Sequence, residues 1–194
     1  MQDDYGFDAF MDHYISDLRR VLSSIATSDV AALVNEVRKV RDAGGTIHFI
    51  GNGGSAGTPS HSAGDWSKEL GVRTIAHTDN IASLTAWAND TDYTNVFVGQ
   101  LSTFLRPGDL VVGYSGSGNS PNVLNGIEYA SANGARTAAI TGDYNGGGGG
   151  QLAESVDVCI NLDTTSMERI EDMQLIINHI VKEALKAEPL SPDD

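Results

Sequence analysis

A single cysteine, Cys159, stands among 194 residues, so no disulfide can form within the chain. That scarcity fits a protein kept in a reducing cytoplasm. Basic side chains are scarce too: 12 Lys and Arg face 26 Asp and Glu, for a formal net charge of −14. A chain so poor in positive charge has no basic face for nonspecific nucleic-acid binding. The acidic excess fits solubility, as in a salty habitat. It does not exclude a phosphorylated ligand, because hydroxyls and backbone N–H groups hold phosphate without lysine. No apolar run approaches the roughly 20 residues of a membrane span. Neither a nucleic acid nor a membrane is therefore expected as a partner. The start, Met1-Gln2-Asp3-Asp4, is acidic and unlike a signal peptide.

What the chain does have is two small-residue loops, Gly51-Asn52-Gly53-Gly54-Ser55 and Ser115-Gly116-Ser117-Gly118-Asn119-Ser120. Each follows a short apolar run, residues 46–50 and 109–113, and each leads into a segment with helical character. Such a loop presents backbone N–H groups and hydroxyls to an anion. Two of them in one small domain suggest a phosphate and a polyol at the carboxyl edge of a parallel sheet. The first loop lacks the G-x-G-x-x-G spacing with a distal acid, and no Gly-Lys-Ser/Thr follows it, so neither a dinucleotide nor a Walker-type site is expected.

Around these loops the apolar pattern predicts one α/β domain over residues 1–188: a doubly wound five-stranded parallel sheet with helices on both faces. Strands are expected near 46–50, 73–77, 109–113, 136–141 and 157–161. Helices are expected between them near 56–69, 80–89, 93–105, 120–133 and 151–155. Apolar residues from Phe7 to Ile25 at 3-and-4 spacing predict a long amphipathic first helix. Thr27-Ser28-Asp29 reads as the cap of a second, ended by Gly44-Gly45. A long last helix covers roughly 166–187, and residues 189–194 read as a disordered acidic tail. The run from Gly146 to Gly150 reads as a mobile surface loop. The wide apolar face of the first helix suggests packing against another subunit.

Several side chains carry possible chemistry. Ser115, Ser117 and Ser120 can converge with the N–H groups of a helix begun by Pro121 on one phosphate. Asn52 and Ser55 are the polar groups of the first loop. His61 and Asp65 lie four apart on one helical face, a pair that can bind a metal or act as acid and base. Thr58-Pro59 suggests that this helix begins properly only at Pro59. On the last helix, Glu171 and His179 are eight apart, about 12 Å along the axis and about 80° around it. Either they lean toward a shared centre, or one of them serves a neighbouring subunit's site. Asn89-Asp90, at a helix end near the sheet edge, can contact ligand hydroxyls or simply form a turn.

Taken as a set, these motifs resemble the sugar isomerase (SIS) domain family, and within it the phosphoheptose isomerases. Gly51 to Ser55 with His61 is similar to the family's first motif, Asn89-Asp90 to its sugar-contacting pair, and Ser115 to Ser120 to its phosphate loop. Arg169-Ile170 and His179 match the spacing of its last helix. The resemblance implies the SIS fold, a cytoplasmic homo-oligomer, a tetramer by family likeness, and a phosphorylated sugar as substrate. It implies isomerisation of sedoheptulose 7-phosphate to D-glycero-D-manno-heptose 7-phosphate through an enediol(ate), with Asp65 as base and His179 as partner acid. Substrate contacts would come from Asn52, Gly53, Gly54, Ser55, Asp65, Asn89, Asp90, Ser115, Gly116, Ser117, Ser120 and Glu171. Zn²⁺ would be held by His61, Asp65, Glu171 and His179. Three positions depart from the family pattern: Asp65 stands for Glu, Glu171 for Gln and Gly116 for Thr. Some relatives with this fold are adaptors for a replication initiator that lack the acid and the histidine, and a sensor without turnover is a third reading. Retention of Asp65 and His179 favours the enzyme.

Overall fold

The computed structural model describes residues 6–187. Met1 to Tyr5 and the tail expected over 189–194 lie outside the described residues. Five strands form one sheet in the order β2-β1-β3-β4-β5: β1 (Thr46–Gly51), β2 (Arg73–Ala76), β3 (Leu110–Ser115), β4 (Arg136–Gly142) and β5 (Val158–Leu162). Every pairing is parallel, with Phe49 opposite Ala76 and Val112, and Tyr114 opposite Ile140. The central β3 is buried along its whole length, as a strand covered on both faces must be.

Among the described residues eight α-helices surround the sheet: α1 (Phe7–Ser24), α2 (Thr27–Asp42), α3 (Gly54–Leu70), α4 (Ile81–Asp90), α5 (Val96–Phe104), α6 (Pro121–Ala132), α7 (Gly150–Glu154) and α8 (Met167–Lys186). Alternate strand residues feed two separate cores. Phe49, Val112 and Ile140 join Val37, Trp66, Met173 and Ile177 on one face. Ile50, Val111 and Ala139 join Phe97, Leu101, Val123 and Ile127 on the other. The strand–helix alternation read from the sequence is therefore observed, with strand ends shifted by one or two residues.

Three local expectations are corrected. The N-cap of α2 is Ala26, without a side-chain cap, and Thr27 lies inside the helix. Helix α3 begins at Gly54 and runs through Pro59. Pro59 has no N–H for the Ser55 carbonyl, and that carbonyl lies so close to Gly51 that a Cβ at 51 would strike it. The interruption is thus absorbed by a glycine on the preceding strand. The glycine run is not a free loop. Asn119 Oδ1 accepts from Gln151 N (3.1 Å), Thr141 Oγ1 donates to Gly149 O (3.1 Å) and Asn161 Nδ2 donates to Gly148 O (3.2 Å). It buttresses the outer side of the serine loop so closely that a Cβ on Gly118 would overlap the Gly149 carbonyl.

Helices α3 and α8 run parallel, side by side. Their contacts keep an almost constant offset in sequence: Gly54 with Glu171, Ser62 with Asn178, His61 with His179, Asp65 with Lys182 and Glu69 with Lys186. At the middle of this seam Asn178, fully buried, donates to Ser62 Oγ (2.7 Å) and accepts from Tyr114 OH (3.1 Å), while its carbonyl takes Trp66 Nε1–H (3.2 Å). This network ties the seam to the central strand.

Candidate active site

Both small-residue loops lie at the carboxyl ends of their strands and line one cleft of about 430 Å³. The first supplies Asn52, Gly53, Gly54 and Ser55, the second Ser115, Gly116, Ser117 and Ser120, and α8 supplies Glu171. Gly53, at φ +58, makes the sharp turn into α3. Asn52 and Asn122 pair amide to amide, each donating to the other at 2.9 Å, and Tyr93 OH donates to Asn52 Oδ1 (2.9 Å). These bonds fix the first loop against α6. In the second loop the Ser115 and Ser120 hydroxyls meet at 3.1 Å, and Thr141 Oγ1 donates to the Ser115 carbonyl (2.7 Å).

Neither α3 nor α6 takes a side-chain hydrogen bond from its N-cap residue; at α6, Pro121 has no N–H and Val123 N–H donates to Asn122 Oδ1 (3.0 Å). The two ends differ in electrostatics. The Glu171 carboxylate lies against Gly54, so close that a Cβ at 54 would collide with it. A carboxylate there already complements the positive end of α3. The N-terminus of α6, with its three serines, has no such resident acid among the residues lining the cleft.

Gly116 has a local explanation. The Met167 thioether fills the space a side chain at 116 would take, so the missing threonine and Met167 are complementary in volume. Tyr114, Tyr144, Asn145 and Met167 also line the cleft and were not singled out in the sequence. Only their places at strand and helix ends beside the loops could have flagged them.

The titratable cluster lies further along the seam. His61 Nε2 and His179 Nε2 are 3.1 Å apart, and Asp65 Oδ2 is 3.5 Å from the first and 3.8 Å from the second. These three ligand atoms lie within 4.8 Å of one another. Glu171, expected as a fourth ligand, is not in this group. Eight helical residues separate it from His179, about 12 Å of axis, and its carboxylate stays at the cleft. Lys182, which was not foreseen, donates from Nζ to Asp65 Oδ2 at 2.8 Å. That ammonium holds the Asp65 carboxyl below its usual range. The direction is opposite to the raised pKa expected of a tuned general base.

Asn89 and Asp90 do not line the cleft. They sit exposed at the end of α4, where Asn89 Nδ2 donates to Asp90 Oδ1 (2.9 Å), and Asp90 borders a separate hollow with Ser83, Ala86 and Trp87. Arg169 is buried under α1, its guanidinium carbon 3.0 Å from the centre of the Tyr14 ring. Burial pushes the Cys159 thiol up to about 11, away from the reactive thiolate.

Comparison with known proteins identifies the fold and the family. The SIS domain family profile matches residues 13–142. The phosphoheptose isomerase of Rhodospirillum rubrum is 40% identical over 144 residues, 72% of this chain and 74% of that protein. That of Akkermansia muciniphila is 35% identical over 179 residues, 90% of this chain and 92% of the relative. A solved phosphoheptose isomerase from Neisseria gonorrhoeae superposes with a TM-score of 0.86 at 25% identity, over 94% of this chain and 100% of the other. With the two loops and the helical seam placed as they are in the fold, the chain belongs to the SIS domain family, among the phosphoheptose isomerases.

Proposed function

We propose that the chain isomerises sedoheptulose 7-phosphate to D-glycero-D-manno-heptose 7-phosphate. The observation that carries this reading is the joining of two unlike sites by one helix pair. A hydroxyl- and N–H-lined cleft lies at one end of the α3/α8 seam, and a His/Asp/His cluster lies two turns along it. Ser115, Ser117 and Ser120 at the start of α6 bind the phosphate, and Glu171 repels it from α3. Polar groups of the first loop orient the sugar hydroxyls. Asp65 removes the proton α to the carbonyl, an enediol(ate) forms, and Asp65 returns the proton to the adjacent carbon while His179 moves the hydroxyl proton from one oxygen to the other.

The cluster suits zinc in donor type and spacing, with His61, Asp65 and His179 as ligands. Bound there, zinc would act as a Lewis acid toward negative charge developing on the substrate oxygens. A tetramer is supported by the face of α1, where Phe7, Phe10, Met11, Ile15 and Leu22 are all more than one third exposed. No helix among the described residues is long and apolar enough to cross a membrane, in keeping with a cytoplasmic enzyme.

The test is to incubate the protein with sedoheptulose 7-phosphate, with and without added zinc, and follow aldose formation. Turnover is expected. Thermal stabilisation by the sugar phosphate without turnover would replace the enzyme with a sensor. Light scattering behind size exclusion should report a tetramer, and a monomer would defeat the reading of α1.

A further inference from the structure

Lys182 and Lys186 form two successive rungs between α8 and α3, and the two rungs are not alike. Lys186 Nζ meets Glu69 Oε2 at 2.9 Å, with side chains 40% and 31% exposed. Lys182 is only 14% exposed. Its acceptor, Asp65 Oδ2, is the same oxygen that faces both imidazoles of the His61/His179 pair. The ammonium thus sits on the one anionic donor of the cluster. With neutral imidazoles, the charge of Asp65 is cancelled before any cation arrives.

We propose that Lys182 is a built-in competitor for the metal at this cluster, setting its affinity for a divalent cation. The inference rests on the reading of His61, Asp65 and His179 as a metal site. A dication entering the cluster must share Asp65 Oδ2 with the ammonium or displace it. Either way it meets a like charge a few ångströms away, well inside the screening length of physiological salt. Lys186 lies a helical turn further on and is bonded to a different carboxylate, so its effect on the cluster is weaker. The cluster then binds metal reversibly and loosely for its donor set, and metal entry frees Lys182 from α3.

The experiment compares the full-length chain with Lys182→Met and Lys186→Met, which remove the same charge one turn apart. Zinc affinity is measured by competition with a chromophoric chelator, and circular dichroism checks the fold. Lys182→Gln replaces Lys182→Met if the latter does not fold. The expected result is zinc binding at least about tenfold tighter in Lys182→Met than in the parent, with Lys186→Met within about threefold of it. Equal or weaker binding in Lys182→Met overturns the proposal, as does equal tightening in Lys186→Met, which would mark a general charge effect. Failure of all three proteins to bind zinc overturns both the proposal and the metal reading. Turnover of sedoheptulose 7-phosphate by the same preparations judges the isomerase reading separately.

Discussion

His179→Ala lowers the turnover of sedoheptulose 7-phosphate by roughly 10²- to 10⁴-fold, the usual worth of a positioned acid or base. Asp65→Asn does the same. Neither change should cost the fold much. The His179 side chain is 44% exposed and the Asp65 side chain 28% exposed, and both lie on the outer edge of the seam, away from buried Asn178. The asparagine keeps the shape of residue 65 while removing its negative charge and its basicity. Steady-state kinetics with a melting curve on each variant make the check. Full activity in either variant removes that residue from the mechanism, and a large drop in melting temperature would make its role structural.

The second large effect is on stability in acid. His48 and His77 are both buried, with His48 Nδ1 3.0 Å from His77 Nε2 and His48 Nε2 3.3 Å from Asp109 Oδ2. Asp109 also accepts the backbone N–H groups of Thr46 (2.7 Å) and Arg106 (2.8 Å). One proton arrangement satisfies the line: His48 donates to Asp109, and His77 donates to His48. Nδ1 of His77 is then a buried acceptor with no partner among the described residues. A proton added there finds nothing to bond to, and burial together with His48 lowers the His77 pKa from 6.5 to about 3.

The sign follows from proton counting. Below pH 6.5 the unfolded chain takes up a proton at residue 77 that the fold refuses until about pH 3. Across that window the unfolded state binds more protons, so stability is full above 6.5 and falls with pH. From pH 6.5 to 4.5 the loss from His77 is about 2 kcal/mol, somewhat less than two full units at about 1.36 kcal/mol each because the unfolded imidazole is already half protonated at pH 6.5. Most carboxylates titrate lower, which leaves this window largely to the histidine pair. Urea unfolding at pH 7 and pH 4.5 measures the loss, and His77→Gln should flatten it. An equal loss in that variant would place the acid sensitivity elsewhere.

The architecture was largely legible because parallel strands buried on both faces leave unbroken apolar runs, and the loops between them are marked by glycine and serine. The cleft was legible for the same reason: its lining comes mostly from those loops. What was hidden depends on distances between segments far apart in sequence. His61 with Asp65 could be read from helical spacing, and His179 joined them as expected. Glu171 did not, because two helical turns cannot be leaned away by one side chain. Asn89 and Asp90 lie exposed at the end of α4, so helix-end position alone did not predict contact with the cleft. Lys182 was missed since a lysine at the fourth position after Asn178 has no local signature. Its role exists only because α3 lies alongside. The glycine run looked mobile because its hydrogen-bond partners, Asn119, Thr141 and Asn161, are scattered along the chain.

The near-constant offset between α3 and α8 makes the pair a ruler with two marks, the cleft at one and the histidine cluster at the other. Loops within residues 71–166 that do not line the cleft can lengthen or shorten without moving either mark. A single residue inserted between Glu171 and His179 would turn everything beyond it by about 100° and shift it by about 1.5 Å. His179, Lys182 and Lys186 would lose their partners together while Glu171 and the two loops stayed in place at the cleft. Length changes within these two helices should therefore separate the holding of a sugar phosphate from its conversion, and changes elsewhere should not.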